Sequence, residues 1–158
     1  MRARPISACL LIVLTALFFS ACIGSAASDD TINIEAQLIW GTNDAKVDSK
    51  LKLVGTKMSE RLKHSPFKWD HYYECKRETF KVKLNEEKAV TMSKRCQIRV
   101  TNLGDSQVKF QLFGNGQLAN TVTQALPIGE LLITGGDAEN STAWFVILRQ
   151  VESEQPHK

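Results

Sequence analysis

Residues 31–40 read Thr-Ile-Asn-Ile-Glu-Ala-Gln-Leu-Ile-Trp, which puts Ile32, Ile34, Ala36, Leu38 and Trp40 at alternate positions with mostly polar residues between them. A period of two predicts a half-buried strand. Gly41-Thr42-Asn43-Asp44 ends it with turn residues. From Val47 to Lys63 the period changes: Val47, Leu51, Val54, Met58 and Leu62 fall on one stripe while lysines and Arg61 take the other sides. That spacing predicts an amphipathic helix over 47–63. Gly55 interrupts it at a cost of about 1 kcal/mol, Thr56 is placed to cap a second, shorter helix, and Ser65-Pro66 closes the segment.

Beyond Pro66 the chain reads as extended over 67–84, 88–101, 106–113, 117–124, 129–134 and 143–151. The separators 85–87, 102–105, 114–116 and 135–141 supply the Asn and Gly that hairpin turns require. Trp144 to Leu148 is apolar at both parities, which suits a central strand covered on one side by the helix or by a second sheet. The predicted fold is mainly β with one helix, an antiparallel sandwich or curled sheet covered by the helix near 47–63.

The first 28 residues stand apart. An apolar run from Ile6 to Ile23 follows Arg2 and Arg4 and precedes Gly24-Ser25-Ala26-Ala27, the order of an export signal. Residues 29–152 are then expected to form a single β-rich domain, and 153–158 a frayed tail. Phe19-Ser20-Ala21-Cys22 resembles a bacterial lipoprotein lipobox, with Phe19 in place of the usual aliphatic residue. The resemblance makes Cys22 a lipidation candidate, and acyl chains there would hold the protein on a membrane. Ordinary cleavage after Ala26 or Ala27 and an uncleaved anchor are the alternatives. Each of these places the domain outside the cytosol: in the periplasm, at the outer membrane, or secreted.

Without the signal, the 20 Lys+Arg and 17 Asp+Glu of the chain become 18 and 17. That balance gives nucleic acid no electrostatic footprint to bind. In an oxidising compartment Cys75 and Cys96 are a disulfide candidate. Their parities differ in a regular hairpin, so a bridge needs one bulge between residues 74 and 79. A buried free Cys96 is the competing expectation.

Motifs for nucleophilic, phosphate-binding or zinc chemistry are missing from the sequence, and no cofactor, metal site or catalytic residue is expected. Asp70, His71, Glu74 and Cys75 contain metal-ligand residue types. In a strand, however, His71 and Cys75 lie about 13 Å apart, so this cluster serves a small metal-dependent hydrolase only if the stretch is helical. Trp69, Tyr72 and Tyr73, interleaved with Lys68, His71 and Lys76, form a candidate ligand-binding surface of a carbohydrate-binding module. The alternative is that they pack inward. Gly135-Gly136-Asp137 with Glu139 and Asn140 offers oxygens for calcium but reads first as a hairpin loop, and Asn140-Ser141-Thr142 fits a glycosylation sequon.

The stretches 34–43, 67–74, 93–96, 129–137 and 142–149 together resemble a group of small exported bacterial proteins of unknown function. The resemblance implies a self-contained extracytoplasmic domain and brings no ligand or activity with it. The function expected is therefore non-enzymatic: binding or scaffolding another cell-envelope component, a protein or a glycan.

Overall fold

The computed structural model describes residues 30–44, 51–63, 69–138 and 142–152. The export signal with Cys22, the tail, and the residues Glu139, Asn140 and Ser141 lie outside them. Among the described residues no helix is long and apolar enough to cross a membrane.

The fold is mainly β with one helix. The elements are β1 (Ile32–Thr42), β2 (Lys52–Leu53), α1 (Thr56–Lys63), β3 (His71–Val82), β4 (Glu87–Thr91), β5 (Cys96–Gly104), β6 (Gln107–Gly114), β7 (Gln117–Ala125), β8 (Leu132–Ala138) and β9 (Thr142–Val151). Two open antiparallel sheets are built from them, one ordered β2-β3-β1-β9-β8 and the other β4-β5-β6-β7. Ile34, Ala36 and Leu38 of β1, with Val146 and Leu148 of β9, bury against Ile98, Val100, Val108 and Phe110 of the second sheet. Each large aliphatic or aromatic side chain removed from water there contributes about 1.5–3 kcal/mol.

The first sheet is covered on its other face too. Ile39, Tyr72, Ala143, Phe145 and Ile147 bury there against Leu62, with Val54, Met58 and Trp69 packed around them. This explains why β9 is apolar at both parities. It also corrects the expectation for β1, which is buried on both faces rather than on one.

The helix is shorter than the periodicity predicts. Lys52 and Leu53 pair with Glu74 and Tyr73 as an edge strand, and Val54 N–H donates to the Tyr72 carbonyl at 3.0 Å. The helix starts after Gly55, whose carbonyl accepts from the amides of both Met58 and Ser59. Only Val54, Met58 and Leu62 of the stripe reach the sheet cluster. Glycine favours the break, and a free edge on β3 gives residues 52–53 an extended alternative. Residues 45–50 lie outside the described residues.

Two further strand boundaries differ from expectation. The stretch 88–101 splits into β4 and β5, because Met92 and Ser93 both donate to the Cys96 carbonyl and fold the chain back. Gly135 and Gly136, expected in a loop, belong to β8 and pair with Phe145 and Trp144. A Cβ on Gly135 would collide with the carbonyl oxygen of Trp144, so glycine is what allows β8 to approach β9. The β6–β7 turn falls where the sequence places it, with Asn115 and Gly116 both at positive φ.

One end of the sandwich is closed by a buried amide. Asn102, 1% exposed, donates to the carbonyls of Asp30 at 2.7 Å and Val82 at 3.2 Å. Its Oδ1 accepts from Gly104 N–H at 3.0 Å. These bonds tie β5 to the start of β1 and the end of β3, one sheet to the other. Asn102→Ala is expected to cost about 2–3 kcal/mol, since it removes one buried and two partly buried hydrogen bonds. Leu103→Ala, on the exposed neighbour, should stay within about 0.5 kcal/mol; urea unfolding of both variants checks the contrast.

Candidate functional site

The polar residues of β1 lie on the face that α1 partly covers. Glu35 stands opposite Arg149 of β9, and Gln37 opposite Arg77 of β3, so Arg77 is the diagonal neighbour of Glu35. The register therefore delivers two guanidinium groups to one carboxylate. Arg149 Nε donates to Glu35 Oε1 at 2.8 Å, Arg77 Nη1 to Glu35 Oε2 at 3.3 Å, and Gln37 Nε2 to Glu35 Oε1 at 2.6 Å. Glu35 is 8% exposed. Burial pushes its carboxyl up, but the bonds from Arg149 and Gln37 and the charges of Arg149 and Arg77 outweigh that and hold it below its ordinary value.

A second acid reaches the site through a backbone irregularity. Leu38 pairs with Lys76 but Ile39 pairs with Glu74, which leaves Cys75 as one extra residue in β3. A bulge of this kind reverses the parity of what precedes it. Glu74 is thereby turned onto the face of Arg77, and its two oxygens meet Arg77 Nε and Nη2. This bonding, ahead of the charge of Glu35, raises the Arg77 pKa.

The same bulge sorts the predicted aromatic cluster onto two faces. Tyr72 is buried with Phe145 at a centroid distance of 6.3 Å, and Trp69 packs edge-on to Phe145 at 5.4 Å. Tyr72 is a core side chain beneath α1, which corrects its assignment as a ligand-binding residue, while Trp69 is partly buried against the same cluster. Tyr73 lies on the opposite face in a row with Trp40 at 6.1 Å, and Trp40 in turn stacks on Trp144 at 6.0 Å. Trp144 is 44% exposed, and His71 flanks Tyr73 at 6.3 Å.

The residues of the 70–75 stretch are likewise distributed. Asp70 is exposed, its N–H bonded to Asn43 Oδ1; Glu74 is held by Arg77; Cys75 packs against the inter-sheet core. Among the described residues no group of three or more His, Cys, Asp or Glu is placed to hold a metal. Cys75 and Cys96 are both free thiols rather than a bridge, and both pack on the inter-sheet core. Burial pushes the Cys75 thiol up to about 11 and raises Cys96 too.

Above the Glu35 cluster opens a cleft of about 510 Å³ between α1 and the sheet. Lys57, Arg61, Arg77 and Arg149 line it against a single lining carboxylate, Glu74, with Val54, Met58 and Leu131 as apolar walls. Glu35 takes Arg149 by Nε, and Arg149 lines the cleft. Neither the arginine pair nor the cleft was found by sequence motifs. The signal present is a charged residue, Glu35, inside a long β-period stretch, with Arg149 closing an apolar strand. Compared with known proteins, the chain matches no family model, no curated protein and no solved structure.

Glu35→Gln tests the buried carboxylate. A carboxyl held below its ordinary value stabilises the fold above that value and loses the contribution as pH falls through the folded pKa. The variant should be less stable than wild type at pH 7 by about 1–2 kcal/mol, given that both arginines are partly exposed. The gap should narrow as pH falls below 4.5, which chemical unfolding across pH measures.

Proposed function

We infer that the chain is a non-enzymatic extracytoplasmic domain that binds another component of the cell envelope by holding an anionic group in the cleft over Glu35. The observation that carries this reading is the cleft's excess of cations, two of them, Arg77 and Arg149, fixed by one buried carboxylate. Arginines oriented in this way recognise phosphate or carboxylate by their geometry as well as their charge. The export signal and the resemblance to small exported bacterial proteins support the location, in the periplasm, at the outer membrane, or secreted. An acylated Cys22 would add a membrane anchor. The alternative of a metal-dependent hydrolase loses support because residues 70–75 point to different faces.

Isothermal titration with pyrophosphate and citrate, as the phosphate and carboxylate probes, tests the cleft. Binding of at least one is expected, weakening as salt rises. The Lys57→Gln, Arg61→Gln variant should bind it about tenfold more weakly with unchanged melting, because neither residue belongs to the Glu35 cluster. Equal binding by variant and wild type would refute the reading.

A carbohydrate-binding module is a second reading, favoured by the row Tyr73, Trp40 and Trp144 in place of Trp69 and Tyr72. Trp144, exposed and stacked on the partly exposed Trp40 with the buried Tyr73 tilted behind them, offers an apolar platform with polar edges. Titration with cell-wall glycans should shift Trp fluorescence in wild type and not in Trp144→Ala. An unmoved wild-type spectrum across the panel removes this reading.

A further inference from the structure

The two sheets end on four outer strands, β2 and β8 in one and β4 and β7 in the other. An outer strand presents unpaired N–H and C=O groups, and proteins guard such edges by shortness, charge or irregularity. Three of the four are guarded. β2 has two residues, one of them Lys52; β4 has five and begins Glu87-Lys88; β8 contains Gly135 and Gly136, which weaken a strand.

β7 is guarded least. It runs for nine residues, Gln-Leu-Ala-Asn-Thr-Val-Thr-Gln-Ala, with no ionisable residue and no proline, and only Val122 among them is even partly buried. A register shift against β6 falls between Leu118 and Asn120, so Ala119 is the extra residue, and Asn120–Ala125 continues in unbroken register. The strand is also fixed in place. Asn120 Nδ2 donates to Thr134 Oγ1 of β8 at 2.8 Å, which ties this edge of the second sheet to the first and lowers the ordering cost of docking.

We propose that β7 is a self-association edge, pairing antiparallel with β7 of a second copy about a two-fold axis near Val122. The occupant follows from the sequence of the strand itself. In that register Val122 faces Val122, Thr121 faces Thr123, and Asn120 faces Gln124 of the other copy. β-branched residues meet β-branched residues, side-chain amides meet amides, and no charge opposes a like charge. A charged peptide would find nothing on the strand to neutralise it. The contact is isologous and closes after two copies, joining two four-stranded sheets into one continuous sheet.

Sedimentation velocity on the full chain in a density-matched non-ionic detergent tests this. Wild type should shift from monomer towards dimer with rising micromolar concentration. Thr121→Lys, Thr123→Lys and Thr121→Glu, Thr123→Glu variants should each dissociate at least about tenfold more readily with unchanged melting, and an equimolar mixture of the two should regain the dimer. A wild type that stays monomeric, Lys and Glu variants that dimerise as wild type does, or a mixture that stays monomeric would overturn the proposal.

Discussion

The first sheet is covered on both faces, and its middle strand, β1, is buried on both except at the partly exposed Asn33 and Trp40. The buried side chains of β1 must therefore be satisfied by the protein. Ile32, Ile34, Ala36 and Leu38 meet this demand with hydrocarbon from the second sheet. On the odd face, Ile39 meets it with the cluster under α1, and Glu35 and Gln37 with hydrogen bonds and two arginines. A buried carboxylate without partners would be strongly destabilising or would be protonated. The arginine pair, and with it the charge of the cleft, answers a need set by the position of one residue in the sheet.

The extra residue at Cys75 divides β3 into two halves with opposite parity. Below it, Arg77 faces Glu35; above it, Glu74 joins the same face, Tyr72 enters the core under α1, and Tyr73 moves out beside Trp40. One inserted residue thus decides which aromatics pack under α1 and which join the row beside Trp40, and adds the acid whose two oxygens accept from Arg77 Nε and Nη2. The thiol of Cys75 is left against hydrocarbon, where ionisation is disfavoured.

The strands were legible because a two-residue period is dictated by one-sided burial, as in β5 and β6, and because Asn115-Gly116 has few other uses in a chain. The helix was legible only in part. Val54, Met58 and Leu62 carry a real stripe, but Leu51 matches the same spacing by coincidence, and nothing local reveals that β3 offers residues 52–53 an edge to pair with. A Cys75–Cys96 bridge was expected only with a bulge between 74 and 79; a bulge lies at Cys75, and the two thiols are free all the same. The sequence did not place that bulge, and so could not tell which of Tyr72 and Tyr73 enters the core under α1. Arg77 and Arg149 lie 42 and 114 residues from Glu35 along the chain. Only the strand order brings them together.

Gly135 shows how little freedom one backbone contact can leave. No atom beyond Cα fits between it and the Trp144 carbonyl, so all nineteen other amino acids would force β8 away from β9. Descendants of this gene that keep the two strands adjacent must keep that codon's meaning, while Gly136 beside it, facing open space, is free to drift.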